Sequence, residues 1–453
     1  MSDWLDAEQR VERAQQLSES QRWEEALEEL DLAIGINANN STWHAQRGYI
    51  LEELERMEDA ADSYERAVAL DPGDRDMAMA LGVCQLRLGR FARAIEIFDE
   101  LARLHPDWEP IYCHRVHAYT ELAQHDRAEE MFYLAQQIND SCPHCFFSMG
   151  VSLLARQQPD RAIYCWQRAL DIEPTYIGVH ERIADAYREK GDLKNAREHL
   201  LRAVRSDPGN TELLFDLADL TLETGRVASA LAQFSQIIEL DPDHIESHYA
   251  LGRIWLRLRQ PVRALPYFET VARLGGEKCD LPGFQLHLGE TLYRLNRLAE
   301  ARSALEKAAK NEPGNARVLM LLGDCLLSED RASEASDWYR RVLARDDRNP
   351  FAHHKLGICL ARLSNADAAA RECLTALQIK PDYAPALYNA SVCLMRMGQW
   401  REASQLLHQA EHHQAANPTF RALRAALWRY RVLGQFRRLS DWVVRTSNSI
   451  AGR

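Results

Sequence analysis

The sequence predicts an all-α chain built as a solenoid of about twelve stacked helix hairpins, and three observations lead there. The chain has 453 residues, beyond the size at which a single hydrophobic core keeps growing, so it divides into domains or repeats a small unit. Its residues are 46% hydrophobic and 27% charged, with Ala, Leu, Glu and Arg prominent, a helix-rich make-up. Similar segments also return at multiples of 34 residues: AADSYERAVALDPGD at 60–74, RAIYCWQRALDIEPTY at 161–176 and LAQFSQIIELDPDH at 231–244. Self-similarity at such a period marks a repeat architecture.

Counted from residue 7, the units run 7–40, 41–74, 75–108, 109–142, 143–176, 177–210, 211–244, 245–281, 282–315, 316–349, 350–383 and 384–417. The eighth is longer than the rest by three residues. The twentieth residue of every unit is alanine, from Ala26 and Ala60 through Ala369 and Ala403. The eighth is glycine at Gly48, Gly82, Gly150, Gly252, Gly289, Gly323 and Gly357. Small residues at two fixed points let the two helices of a unit approach closely. The thirty-second is proline at Pro72, Pro106, Pro174, Pro208, Pro242, Pro313 and Pro381, which stops the second helix and opens the turn to the next unit. One hairpin cannot bury its own apolar face, so stacking supplies the core.

This pattern resembles the tetratricopeptide repeat family over residues 7–417; LGICLARLSNADAAARECLTALQIKPD carries Gly357, Ala369, Ala376 and Pro381 at the expected intervals. The resemblance implies a right-handed superhelix whose first helices line a concave groove that binds proteins or peptides. It marks the second, fifth, ninth, twelfth and thirteenth residues of each unit as groove-lining. In units six and seven these include Glu181, Asp185, Arg188, Glu189, Glu212, Asp219 and Glu223, with Asp216 beside them. From unit eight onward they include Arg253, Arg257, Arg294, Arg317, Arg362 and Arg396, with Glu290 and Asp324 between. The expectation is a groove that changes sign and takes a partner basic in the middle and acidic toward its far end. Tyr49, Phe147, Phe215, Tyr249, Tyr293 and Tyr388 also fall at groove positions, as peptide anchors or as core. Chaperone-tail binders of the family carry Lys at the fifth residue, which no unit has here, and of the asparagine ladder of glycosyltransferase arrays only Asn389 is present.

The stretch DSCPHCFF at 140–147 raises the one chemical alternative. Cys142 closes unit four where other units end in Asn40, Asp74, Asn210, Asn315, Asn349 or Asn417, so it takes a helix N-cap position. Pro143 then stands in the first turn, as Pro282, Pro350 and Pro418 would in their units. Cys145 replaces Trp43, Met77, Ile111, Val179, Leu213 and Phe284, an inward position. Cys84, Cys325, Cys359 and Cys393 likewise share one core position, the tenth, where thiols act as small hydrophobes. A dithiol redox catalyst resembling thioredoxin needs a central sheet, and no β-alternating segment occurs. The expectation is therefore no metal and no cofactor. The set that would hold Zn²⁺ is Cys113 and His117 at i, i+4, with His114 nearby and Cys142, His144 and Cys145 in the adjoining turn.

Metalloprotease, P-loop and dinucleotide signatures are absent: HERIA at 180–184 lacks the second His, and Gly275-Gly276 precedes no Lys-Ser/Thr pair. The reading is a non-enzymatic scaffold for protein or peptide partners. Its alternatives are an adaptor of a secretion, envelope or sugar-transfer machine tethered by its C-terminus, and a metal- or redox-responsive regulator. The net charge of -12 argues against nonspecific nucleic-acid binding. An acidic N-terminus, no long apolar run and ten cysteines without a framework suit the cytoplasm. The expected divisions are a 1–6 extension, units one to eight at 7–281, units nine to twelve at 282–417, and a capping helix pair at 418–453. That last segment sets eight arginines against one acid, Asp441, with Trp428, Tyr430, Phe436 and Trp442 interleaved. Its basic face also suits a membrane surface.

Overall fold

The computed structural model describes residues 2–276, 281–413, 422 and 424–427. Among them there are 24 helices and no strand. Two compact bodies, Met1–Arg226 and Val227–Arg453, divide the chain. The first holds α1 (Ser2–Glu19), α2 (Trp23–Ile36), α3 (Ser41–Glu53), α4 (Met57–Leu70), α5 (Arg75–Arg87), α6 (Phe91–Leu104), α7 (Glu109–Glu121), α8 (His125–Ile138), α9 (Pro143–Ala155), α10 (Pro159–Ile172), α11 (Val179–Glu189), α12 (Leu193–Ser206) and α13 (Thr211–Glu223). The second holds α14 (Val227–Leu240), α15 (Ile245–Arg257), α16 (Pro261–Gly275), α17 (Phe284–Arg294), α18 (Leu298–Asn311), α19 (Ala316–Ser328), α20 (Ala332–Leu343), α21 (Pro350–Arg362), α22 (Ala366–Ile379), α23 (Ala384–Arg396) and α24 (Trp400–His413).

Every 34-residue unit is thus a pair of helices, and the chain is an all-α solenoid of hairpins. Within each body, the two helices of a hairpin pack on each other and the second packs on the next hairpin, as α3 on α4 and α4 on α5. The bodies divide at the turn between α13 and α14, inside unit seven, not at the longer unit eight. Residues 2–6 are the first turn of α1 and not a separate extension. The segment 418–453, expected to be a cap, lies outside the described residues except for 422 and 424–427. No helix among the described residues is long and apolar enough to cross a membrane.

The invariant alanines are the tightest points of the stack: all twelve, from Ala26 to Ala403, are wholly buried at 0% exposure. The glycines face a large side chain sixteen residues on. A Cβ at Gly48, Gly82, Gly150, Gly252 or Gly323 would come within 3 Å of the ring of Tyr64, Phe98, Trp166, Phe268 or Tyr339. The missing methyl lets each ring press against the first helix. Trp166, Tyr339, Phe98 and Phe268 are among the largest fully buried side chains, each worth about 1.5–3 kcal/mol in removed apolar surface.

The turn inside each hairpin is one device used twelve times. The fifteenth residue has a left-handed backbone in every unit: glycine at Gly89, Gly191, Gly225 and Gly398, but Gln21, Glu55, Ala123, Gln157, Arg259, Asn296, Asp330 and Ser364 elsewhere. The amide that follows bonds the carbonyl five residues back, as Arg56 N–H to Leu51 and Arg331 N–H to Leu326, both at 2.8–2.9 Å. That bond satisfies the end of the first helix. The strain of a non-glycine residue there, about 1–2 kcal/mol, is offset by the packing on either side.

Between hairpins, the expected caps form. Asn40, Asp74, Asn210, Asn315 and Asn349 accept backbone N–H bonds from the first turn they precede. Pro143 and Pro350 open α9 and α21. Pro282 does not open α17, because Gly283 intervenes with φ 73° and the helix starts at Phe284; the longer connection moves the proline into the turn.

Candidate functional site

In the first body the carboxylates expected in the groove gather on α11 and α13. Arg188 joins the two helices, its Nη2 2.6 Å from Glu223 and 2.5 Å from Asp219. Glu181, Asp185 and Asp216 are half-buried on the same two helices, and Glu212 is exposed at the start of α13. Burial, and then the neighbouring Asp185 and Glu181 charges, push the Asp216 carboxyl up to about 6. Burial also raises Asp185, against the pull of Arg182 and Arg188. Like charges that raise the pKa of a buried carboxyl mark a face with surplus negative potential.

In the second body several of the expected groove arginines are spent on the fold. Arg294 donates to the Leu256 carbonyl at 3.0 Å, at the end of α15, and to Glu290 at 2.6 Å. Arg362 donates to the Leu327 carbonyl at 2.6 Å, at the end of α19. Each cation thereby closes the negative end of the preceding first helix. Glu290, expected on the groove surface, is only 5% exposed and also holds Arg317 at 2.5 Å. Asp324 accepts from Lys355 at 2.9 Å and from the Tyr339 hydroxyl at 2.6 Å. Arg253, Arg257 and Arg396 remain exposed, Arg253 lying over the Tyr249 ring.

The aromatic candidates separate in the same way. Tyr49 is 50% exposed, its ring edge-on to Trp23, and Phe147 and Phe215 are half-buried. Tyr249 and Tyr388 are each only 7% exposed, so they belong to the packing and do not offer anchors. The Tyr249 hydroxyl donates to the Pro282 carbonyl at 2.6 Å.

The CPHC turn lies at the start of α9, beside the start of α7. Cys142 is the N-cap: its Sγ accepts from the Cys145 N–H at 3.4 Å. Its Sγ also lies 3.4 Å from that of Cys113, and the Cys145 thiol donates to Glu109 at 3.3 Å. The structure thus gathers the three cysteines of the residues named as possible ligands, without the histidines, and adds Glu109, one turn before Cys113 on the same helix face. His117 and His144 are placed differently: His144 Nδ1 is 3.0 Å from the Tyr176 hydroxyl, and His117 faces Glu121. Their rings, with His114, form an aromatic group at centroid spacings of 5.8–6.0 Å. Hydrogen bonds from Cys113 and Cys145 hold the Cys142 thiol far below its usual range and raise those two donors. Burial pushes the Glu109 carboxyl up to about 7 and the His114 imidazole down to about 4. Glu109 was legible as the i, i−4 neighbour of Cys113, on the opposite side from His117.

Comparison with known proteins places this architecture. Family models described as tetratricopeptide repeat match residues 11–75, 45–107, 147–211 and 286–352 in one version, 187–254 and 360–427 in a second, and 109–142 in a third. The Type IV pilus assembly protein PilF of Pseudomonas aeruginosa is 26% identical over 200 residues, 44% of this chain and 78% of that protein. The Protein CTR9 homolog of Arabidopsis thaliana is 25% identical over 280 residues, 57% of this chain and 25% of that protein. Anaphase-promoting complex subunit 3 of Schizosaccharomyces pombe is 21% identical over 239 residues, 53% of this chain and 35% of that one. The chain therefore spans a quarter to about a third of the length of the last two. Among solved structures, YrrB, a TPR protein with an unusual peptide-binding site, is 23% identical with a TM-score of 0.39, covering 42% of this chain and 96% of its own. The chain of the APC/C hetero-tetramer Cut9-Hcn1 is 13% identical with a TM-score of 0.43, covering 91% and 95%. Matched by repeat models along most of its length, and folded as one helix pair per 34-residue unit, this chain belongs to the tetratricopeptide repeat family.

Proposed function

We propose that the protein is a non-enzymatic scaffold that binds partner proteins on the faces of its first helices, and that the α11/α13 face takes a lysine- or arginine-rich segment. The observation that carries this reading is the crowding of Asp185 and Glu181 beside Asp216, whose carboxyl is pushed up to about 6 by burial first and by those two charges second. A basic side chain docking beside Asp216 relieves that repulsion and gains charge-assisted bonds. Asp216 must be ionised to bind it. Binding of a basic peptide therefore weakens as pH falls through about 6 and as salt rises. Fluorescence anisotropy with a labelled oligo-lysine/arginine peptide tests this. Asp185→Asn with Asp216→Asn is expected to weaken binding about tenfold or more at unchanged melting temperature, and unchanged affinity rejects the reading.

A second reading, an adaptor of an envelope or secretion machine, draws support from the likeness to a pilus assembly protein and from the arginine-rich segment 418–453. It expects the full chain to bind vesicles containing anionic lipid in a salt-sensitive way, and removal of 418–453 to abolish that binding.

A further inference from the structure

Four ligand-type side chains meet at the junction of units four and five. Glu109 and Cys113 stand one turn apart on α7, and Cys142 and Cys145 on the first turn of α9. Their ligand atoms all lie within 4.8 Å of one another. A tetrahedral site with zinc–sulfur bonds of about 2.3 Å sets its ligands about 3.8 Å apart. The present separations, up to 4.8 Å, differ from that spacing by about 1 Å or less. Three thiols and one carboxylate are a donor set suited to a borderline-soft cation.

The repeat supplies its own control. The equivalent places at the junction of units ten and eleven hold Ala316, Met320, Asn349 and Ala352, and those before α5 hold Ser41, Ala45, Asp74 and Met77. The backbone at the cap is the same, with φ −98° and ψ 105° at Cys142 against −85° and 102° at Asn349. Only the side chains differ, and at this one junction all four are ligand types. A cap sulfur gives up the usual oxygen cap, worth about 1 kcal/mol. Cys113 and Cys145 are 4% and 2% exposed, while Cys142 is half-buried, so the cluster is shielded and has one side open to an approaching ion.

We propose that Cys113, Cys142 and Cys145, with Glu109 as the fourth ligand, bind one divalent zinc-type cation that staples α7 to the start of α9. On binding, whatever protons the thiols and the carboxyl still carry are released to solvent. The cation then sits among three thiolates and a carboxylate, a net doubly negative site like a four-cysteine structural zinc centre. The imidazoles of His114, His117 and His144 lie outside the ligand set.

The test uses full-length protein purified reduced and without chelator, by elemental analysis and by titration with Co²⁺ alone. The expected result is about one zinc per chain, and thiolate-to-metal charge-transfer and tetrahedral ligand-field bands with cobalt. Cys142→Ser, which keeps an oxygen cap, and Cys145→Ala are expected to lose metal affinity by about a hundredfold or more, and Glu109→Gln by about tenfold. His117→Ala and His144→Ala should leave it intact. The melting temperature of metal-free Cys142→Ser should match or exceed that of metal-free wild type, which separates lost ligation from lost folding. Reduced wild type without zinc and without cobalt bands overturns the proposal. So do bands that survive Cys142→Ser, bands abolished by the histidine variants, or a Cys113–Cys142 disulfide as the sole product.

Discussion

The junction of units four and five and that of units ten and eleven are the same piece of backbone carrying two different chemistries. At the later one, Asn349 accepts the Ala352 N–H at 3.0 Å, Pro350 opens α21 and the third residue fills the core. At the earlier one, Cys142 accepts the Cys145 N–H at 3.4 Å, Pro143 opens α9 and the third residue also fills the core. Beside each junction a glycine admits a large ring, in the later hairpin at the first (Trp166 against Gly150) and in the earlier hairpin at the second (Tyr339 against Gly323). The comparison teaches that the repeat fixes positions and leaves their chemistry open. A cap place and a core place, which every unit must fill, become a ligand pair when both are cysteine and when a cysteine and a glutamate stand opposite.

The largest effects should come from what the two junctions share. Trp166→Ala and Tyr339→Ala each empty a fully buried site against a glycine-bearing helix, and each is expected to cost about 3–5 kcal/mol, read as lost hydrogen-exchange protection in α9–α10 or α19–α20. Equal losses uphold the shared framework, and a cost below about 1 kcal/mol at either site breaks it.

Next comes transplantation of what they do not share. Ala316→Glu, Met320→Cys, Asn349→Cys and Ala352→Cys together should create a second metal site, with a stabilisation of about 2–3 kcal/mol at a hundredfold excess of zinc over its dissociation constant. Cobalt spectra check it. A transplant that folds and binds nothing shows that the side chains alone do not make the earlier junction different.

Smaller changes sharpen the cost of the cap. In metal-free protein, Cys142→Asn should stabilise by about 1 kcal/mol and Asn349→Cys should destabilise by a similar amount, compared by denaturant midpoints. The smallest effect lies one turn away. Ala123→Gly relieves a left-handed alanine between α7 and α8 and should gain about 0.5–1 kcal/mol, whereas Asp330→Gly, at the equivalent place between α19 and α20, should gain less because Asp tolerates that conformation.

Much of the fold was legible because the sequence repeats it. The alanine at the twentieth place, the glycine at the eighth, the proline at the thirty-second and the asparagine caps each answer a local demand of sterics or backbone hydrogen bonding, and one period aligns them. The left-handed turn was not legible, since glycine occupies it in only four units and packing compels Ala123 or Gln157 into the same shape. The candidate sites were half legible. The acids of α11 and α13 could be read by position, but Arg294 and Arg362 could not be known to hold helix ends, nor Tyr249, Glu290 and Tyr388 to be buried. Spacing suggested His117 as the partner of Cys113. First helices of adjacent hairpins run in the same direction, so the start of α7 meets the start of α9, and the ligand beside Cys113 is Glu109.

The sequence by itself determined the hairpin, its period and the places every unit must fill, because those follow from contacts within about one repeat. Only the tertiary structure decided which charges are consumed by the fold and which face outward, and which side chains from neighbouring units converge. Convergence depends on distances across the stack, and a one-dimensional period carries no record of them.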